Sequence, residues 1–239
     1  MSKKFVLFIV EGNNDKRELD AILHSKYFAS FREKYAPYYW PTNGDITAAA
    51  GVNANNIQKK INDILITFRK KGVPFSNVKV SDIQEIVQIV DLDGTFIPRA
   101  NIVEGHRNSF EYTDDFIITS NVDGAYGRNK KKADILQKLV GIQSVGNVNY
   151  SIYFASCNMD HLLFDRRSLS QYEKSEFARN FQLMCESKPS VIKETIFKKD
   201  IAAEGSYYDS WRNIQKGNNS LQRHTNLNLY LEPISNADE

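Results

Sequence analysis

The sequence predicts an α/β protein in which helices cover a mostly parallel sheet. Two continuous apolar runs of strand length, residues 5–10 and 83–90, are typical of strands that are buried on both faces. Amphipathic segments separate the apolar runs, and strands that alternate with helices favour this fold class. The chain of 239 residues is 41% hydrophobic and 25% charged, a composition that excludes a disordered protein.

Composition also limits the location of the protein and its partners. Two cysteines among 239 residues exclude a disulfide scaffold and fit a reducing cytoplasm. The apolar run at residues 5–10 is too short for a secretory signal, and no run approaches the roughly 18 residues of a membrane span. We therefore expect a cytoplasmic protein with no membrane partner. A net charge of +2 excludes a strongly cationic coat for nucleic acid but not a local basic groove.

The first half of the chain predicts two strands, each followed by a helix. In chain order these elements cover residues 5–10, 13–34, 36–41 and 53–71. The first helix has Asn13 or Asn14 at its N-cap and carries a broken apolar stripe. The second helix is amphipathic, because large apolar residues recur at three- and four-residue spacing, and the Gly-Val-Pro sequence at residues 72–74 ends it.

The second half predicts three more strands and a basic amphipathic helix. The strands cover residues 83–90, 115–119 and 148–155, and the helix covers residues 125–140. Together with the first half they form an α/β core over residues 1–160. Residues 161–239 carry no strong strand pattern, so we expect a helical C-terminal extension that packs on the sheet.

Acidic residues follow two of the predicted strands at the point where each strand ends. Glu11 follows the first apolar run, and Asp91 and Asp93 end the second. In open α/β sheets, ligands bind outside the carboxyl ends of the strands. Converging carboxylates repel one another, and a divalent cation that prefers hard oxygen ligands removes that repulsion. We therefore predict that these acids bind Mg²⁺ or Mn²⁺, with Asp15 as a fourth ligand. Helix capping by Glu11 and a solvated position for Asp15 are the alternatives.

These acids resemble the two acidic motifs of the TOPRIM domain. The segments VEGNND, residues 10–15, and IVDLDG, residues 89–94, are similar to its Glu-Gly after the first strand and its Asp-x-Asp after a later one. Asp15 stands where the OLD-like branch of the family often has a further acid. The segment ASCNMDHLLFD, residues 155–165, resembles the Ser-Asn-x-x-x-Glu segment of RloB-like proteins, although Cys157 interrupts it.

The resemblance, which covers residues 5–165, implies an activity and a set of roles. The activity is Mg²⁺-dependent cleavage of nucleic acid, either RNA such as tRNA or DNA, in a prokaryotic anti-phage or abortive-infection system. The catalytic residues it implies are Glu11, Asp91 and Asp93. The accessory residues it implies are Asn158, Asp160 and His161. RloB-like and OLD-like relatives often work with an ATPase, so an ATPase partner chain is also implied, and the oligomeric state is open, with a homo-oligomer among the options.

Two other functions fit the same residues. One is a non-catalytic subunit that binds nucleic acid or a protein partner. The other is a haloacid-dehalogenase-type phosphatase, because DLDGT at residues 91–95 is the opening motif of that family and residues 116–121 resemble its second motif. Two features oppose the phosphatase: its opening motif normally lies on the first strand, and the later paired acids of the family are missing.

A basic run marks a candidate surface for nucleic acid. Its cations are Arg128, Lys130, Lys131 and Lys132. They lie near the start of the helix predicted at residues 125–140, where the helix dipole disfavours positive charge. A bound phosphate backbone would compensate for that cost, and a solvated helix face is the alternative.

Overall fold

The structure, a computed structural model that describes residues 3–71 and 77–235, contains nine strands and nine α-helices in those ranges. The strands are β1 Lys4–Val10, β2 Tyr35–Pro41, β3 Ile83–Asp91, β4 Ile102–Glu104, β5 Glu111–Tyr112, β6 Ile117–Thr119, β7 Ser144–Val145, β8 Val148–Ser156 and β9 His224–Thr225. The helices are α1 Asn13–His24, α2 Ala29–Lys34, α3 Ile57–Lys71, α4 Val122–Val140, α5 Met159–Phe164, α6 Gln171–Ser187, α7 Val191–Thr195, α8 Tyr207–Ile214 and α9 Asn228–Leu231. None of these helices is long and apolar enough to cross a membrane.

The central sheet is mixed and mostly parallel, as the sequence predicts. Its four long strands run parallel in the order β2-β1-β3-β8, and the short strands β7 and β9 pair antiparallel with β8. The apolar run of β1 is buried from Val6 to Val10, because helices cover both faces of the sheet. Helices α1, α2, α5, α6 and α7 share the core of one face, and α3, α4 and α8 share the core of the other.

The direction of the crossovers reverses between β1 and β3. The chain leaves β1 through α1 on one face and reaches β2 on one side. It then crosses through α3 on the other face to β3, and it continues through α4 to β8 on the opposite side of the sheet. Loops that follow β1 and β3 therefore diverge from each other, and such a point is where open α/β sheets bind ligands.

The helix predicted at residues 13–34 is divided into α1 and α2 by a 3₁₀ turn at Lys26–Phe28. Its N-cap is Gly12, so the predicted caps Asn13 and Asn14 are wrong. The reason is that the carboxylate of Asp15, inside the first turn, accepts the Gly12 N–H at 2.7 Å and so performs the capping from the third helical position.

The helix predicted at residues 53–71 begins four residues later, at Ile57. Local hydrogen bonds among the preceding asparagines hold turns instead, for example from the Asn53 N–H to the Asn56 Oδ1 at 2.9 Å. The expected apolar positions of this helix are buried at Ile57, Ile61, Leu65 and Phe68. The predicted stop at residues 72–74 lies outside the described residues.

The strand predicted at residues 115–119 does not belong to the central sheet. It is β6, the middle strand of a separate small sheet in the order β4-β6-β5, between β3 and α4. No position beside β3 is open to it, because β1 and β8 pair with β3 on its two sides. The small sheet has its own apolar core, formed by Ile97, Ile102, Ile117, Ala125, Cys157 and Leu221.

The segment after β8 is mostly helical and packs on the central sheet, but it also adds β9, which the sequence analysis missed. Side chains from this segment complete the outer edge of β8. The Tyr207 hydroxyl donates to the Ile152 carbonyl at 2.9 Å, and the Asn226 Oδ1 accepts the Phe154 N–H at 2.8 Å. The Thr225 hydroxyl donates to the Phe154 carbonyl at 2.6 Å. Backbone groups between β7 and β9 are therefore paired with side chains.

Candidate functional site at the ends of β1 and β3

Two of the acids predicted from the sequence, Glu11 and Asp91, meet where β1 and β3 end. Glu11 follows the last residue of β1, and Asp91 is the last residue of β3. The two residues are joined directly, because Glu11 Oε1 accepts the backbone N–H of Asp91 at 3.1 Å. The Asp91 carboxylate is anchored from α5, because its Oδ1 accepts the N–H of Met159, the first residue of that helix, at 2.9 Å. The structure therefore fixes both carboxylates by backbone donors.

Burial and mutual repulsion shift the titration of these two acids. Burial is the main cause that raises the pKa of Glu11 well above its usual range; Lys132 partly opposes it, and Asp45 adds to it. Burial also raises the pKa of Asp91 well above its usual range, with the Glu11 carboxylate as the next cause. Two carboxyl groups in this state hold a proton or a cation far more readily than surface acids do.

Asp93 lies at the sharp turn that follows β3. Its backbone has a φ of 50° and its N–H donates to the Cys157 carbonyl at 2.7 Å. Gly94 follows with a φ of 66°, and a Cβ at this position would lie 2.7 Å from Leu221 Cδ2. The left-handed backbone and the close contact together require a residue without a Cβ at position 94, which explains the glycine of the IVDLDG segment.

A buried lysine faces the acids from α4. The side chain of Lys132 is fully buried, and its Nζ lies 2.7 Å from Asp45 Oδ2 and 3.3 Å from Asp93 Oδ2. Burial alone would lower the pKa of Lys132, but the carboxylates of Asp93, Asp45 and Glu11 together raise it above its usual value. Burial acts to raise the pKa of Asp45, yet Lys132 and the Thr47 hydrogen bonds bring it below its usual value. This ion pair is charged at neutral pH.

The basic run predicted as a nucleic-acid surface is not one continuous exposed surface. Lys132 is buried in the ion pair, and Lys131 Nζ donates to the Ala49 carbonyl at 2.6 Å. Arg128 lies with its guanidinium carbon 4.1 Å from the centre of the Phe110 ring and donates to the Asp93 carbonyl at 3.1 Å. Lys130 is exposed. The run lies in the interior of α4, which begins at Val122, and Arg128 links the loop after β3 to Tyr112 of the small sheet.

Asp15 and the later acid Asp160 form a second group beside the first. Burial raises the pKa of Asp15, and the hydrogen bond from Gly12 lowers it. Asp160 is buried and forms an ion pair with Lys174 Nζ at 2.6 Å. Glu18, one turn after Asp15, is fully buried with no hydrogen-bond partner for either carboxylate oxygen in the described residues, and burial raises its pKa well above the usual range.

Asn158 and His161 have structural partners at the start of α5. Asn158 is the N-cap, and its Oδ1 accepts the His161 N–H at 2.9 Å. His161 Nδ1 accepts the Cys157 N–H at 3.1 Å, while Nε2 lies 3.4 Å from Asp165 Oδ1. Burial lowers the pKa of His161 to about 4, so it is neutral at pH 7. These residues hold the loop that carries the Met159 N–H to Asp91.

Sequence reasoning missed three charged residues of the site region: Asp45, Glu18 and Lys174. It also placed Lys132 on the surface. The sequence carried a signal for Glu18 and for Lys132. Lys132 falls on the apolar stripe of α4, three and four residues before Ile135 and Leu136, and Glu18 lies on the buried side of α1. A charged residue on the apolar stripe of a helix predicts a buried ion pair or functional group.

The carboxylates of the site could contact a cation from one side, but they do not enclose it. Within the described residues, no three His, Cys, Asp or Glu side chains are grouped so as to hold a metal ion, so a closed protein cage is absent from that part of the chain. Glu11 and Asp91, half-buried and mutually repelling, supply two carboxylates, whereas Asp93 is paired with Lys132. Mg²⁺ commonly takes one or two carboxylates and completes its shell with water and substrate phosphate oxygens.

The comparisons with known proteins add no relative. The sequence matches no protein-family model, and no curated protein or solved structure is similar to it. The site is therefore interpreted from its own geometry.

Proposed function

We propose that this protein is a Mg²⁺-dependent nuclease of the TOPRIM type that hydrolyses a phosphodiester bond in RNA or DNA. The observation that supports the proposal is the half-buried pair Glu11 and Asp91, joined where the crossovers reverse between β1 and β3, with raised pKa values and the Lys132 ammonium nearby. Carboxylates with strongly shifted pKa values at such a point of an α/β sheet are typical of ligand-binding and catalytic sites.

The chain supplies a distinct role for each group. Glu11 and Asp91 would hold Mg²⁺ or Mn²⁺, which polarises the phosphate and activates water when bound. In the hydrolysis, water would add to phosphorus and lose a proton, and the bond to the sugar oxygen would break as that oxygen takes up a proton. Glu11 would be the group that accepts the proton from water and returns it to the leaving oxygen. Lys132 holds Asp93, and through it the turn that follows β3, and adds positive charge beside the site.

The proposal is tested by cleavage of end-labelled tRNA, single-stranded RNA, single-stranded DNA and duplex DNA. Each substrate is incubated with Mg²⁺, Mn²⁺ or EDTA and with the wild type, Glu11→Gln or Asp91→Asn. The control is Asp63→Asn, an exposed acid on α3. We expect metal-dependent cleavage that both site variants lose and the control keeps. Cleavage that persists in Asp91→Asn at the wild-type rate would reject the assignment.

The non-catalytic alternative has its own outcome. A folded wild-type protein that binds labelled nucleic acid, takes up Mn²⁺ in a calorimetric titration and cuts nothing would be a binding subunit. An ATPase partner chain, a cytoplasmic location and a role in anti-phage defence follow from the TOPRIM resemblance alone and stay predictions.

The phosphatase alternative gains no support from the fold. Its second motif was expected at residues 116–121, but that segment forms β6 of the small sheet, whereas the neighbours of β3 are β1 and β8. Thr119 therefore does not lie on a strand beside Asp91.

A further inference from the structure

Helix α6 has one face in the core and one face in solvent. Ala178, Phe181 and Cys185 are buried on the inner side, where α6 packs against α1. On the outer side, Tyr172 and Leu183 are 71% and 53% exposed. These two apolar side chains lie toward opposite ends of the exposed side of α6, with polar and charged residues between them.

The outer face of α6 forms one wall of an open groove. Arg17 from α1 lines the groove together with one side of α6. The α6 residues that line it include Tyr172, Ser175, Glu176, Arg179, Asn180 and Leu183. We call these six residues the α6 face. Their spacing of three and four residues places them along one side of the helix.

The α6 face is complementary to itself. When a helix packs antiparallel against its own copy about a two-fold axis, residue i contacts residue j of the copy and residue j contacts residue i. With the axis between Phe177 and Ala178, Glu176 lies opposite Arg179 of the copy, and Tyr172 lies opposite Leu183. Ser175 and Asn180 oppose each other in the same way. The two-fold axis therefore creates two ion pairs and two apolar contacts between the copies.

The side chains that carry the charges are in position for this pairing. The Tyr172 hydroxyl donates to Glu176 Oε1 at 3.0 Å, which keeps the carboxylate on the outer face. Arg179 is exposed and forms no ion pair with an acid in the described part of the chain. Arg179 lies one helical turn from Glu176, so a two-fold rotation places the guanidinium of each copy against the carboxylate of the other.

We propose that the protein forms a symmetric homodimer through the α6 face, with α6 antiparallel to its copy. The proposal does not depend on the nuclease assignment. A nucleic acid strand suits the surface less well, because Glu176 lies in its centre and Leu183 offers no group to a phosphate. Tyrosine, arginine and leucine around a charge pair are the chemistry of a protein interface.

The test reverses each charge of the Glu176–Arg179 pair in the full chain. In a Glu176→Arg dimer, two pairs of arginines would face each other across the axis, and in an Arg179→Glu dimer two pairs of glutamates would do so. Because like charges repel, each variant alone should dimerise about a hundredfold more weakly. A mixture of the two variants restores two opposite-charge pairs and should form a heterodimer. Sedimentation velocity from about 1 to 100 µM covers the range in which small interfaces dissociate.

The expected result is a wild-type mass of twice 27.4 kDa, monomers for each variant alone, and dimers for the mixture and for the double variant. Glu33→Arg, the same charge change at an exposed site on α2, should dimerise like the wild type. A wild type that stays monomeric at about 100 µM, or variants that fail to associate when mixed, would overturn the proposal. Circular dichroism shows that each variant is folded.

Discussion

The ion pair of Lys132 gives the most direct prediction about stability. Replacing Lys132 by methionine keeps most of the side-chain volume but removes the ammonium that lies 2.7 Å from Asp45 and 3.3 Å from Asp93. The side chains of these acids are only 13% and 21% exposed. Both carboxylates would then be buried without their counter-ion, and Glu11 would lose the one cation that lowers its pKa most.

The magnitude follows from the burial of the pair. Removal of one partner of a buried ion pair typically costs about 3–5 kcal/mol, because the remaining charge is left uncompensated. We expect Lys132→Met to lose about that much free energy of unfolding at pH 7, which corresponds to a fall in Tm of roughly 6–20 °C for a chain of this size. Asp45→Asn in the same chain should recover part of the loss, since it removes one of the uncompensated charges.

Urea unfolding followed by circular dichroism measures the difference. The control is Lys130→Met, two residues away on the same helix but exposed, which should change the stability by less than about 0.5 kcal/mol. A Lys132→Met protein within about 1 kcal/mol of the wild type would refute the reasoning, because it would show that neither carboxylate depends on the lysine.

Three further predictions concern other positions. Gly94→Ala should lose about 1–3 kcal/mol in urea unfolding, because a Cβ would lie 2.7 Å from Leu221 at a φ of 66°. Glu18→Gln should be more stable than the wild type at pH 8 and equal to it near pH 4. The reason is that the pKa of Glu18 is raised in the folded state, so the wild type loses stability as the pH rises above the ordinary glutamate value of about 4.3. A stability difference that stays constant across a pH series of melting curves would contradict this prediction. Tyr207→Phe should lose about 1 kcal/mol with the hydrogen bond to β8, whereas Tyr208→Phe, half-exposed, should melt like the wild type.

The strand ends could be predicted from the sequence because the signal is local. A continuous apolar run that stops at an acid defines both a buried strand and the residue at its carboxyl end. The sequence alone therefore identifies Glu11 and Asp91 as strand-end acids. Their adjacency follows from the parallel order of β1 and β3, since parallel strands present their carboxyl ends at one edge. The mostly parallel α/β fold is confirmed for the same reason.

The remaining parts of the site depend on tertiary contacts. Asp45 follows β2 by four residues, and its local sequence is that of a turn; only the packing of α4 across the sheet brings Lys132 to it. The assignment of β6 to the central sheet was wrong because a short apolar segment specifies a strand but not its neighbours. The N-cap of α1 was predicted wrongly because the capping carboxylate belongs to Asp15, three residues after the N-cap Gly12.

The hydrogen bonds along β8 have a consequence for the order in which the chain folds during synthesis. The side chains that cover the outer edge of this strand come from Tyr207, Thr225 and Asn226, about 50–70 residues after β8. At about 5–20 residues per second, the ribosome needs several seconds to add them. During that interval the nascent sheet presents unpaired N–H and C=O groups that can template the strand of another chain. Chaperone engagement should therefore be strongest on nascent chains that have completed β8 but not Asn226.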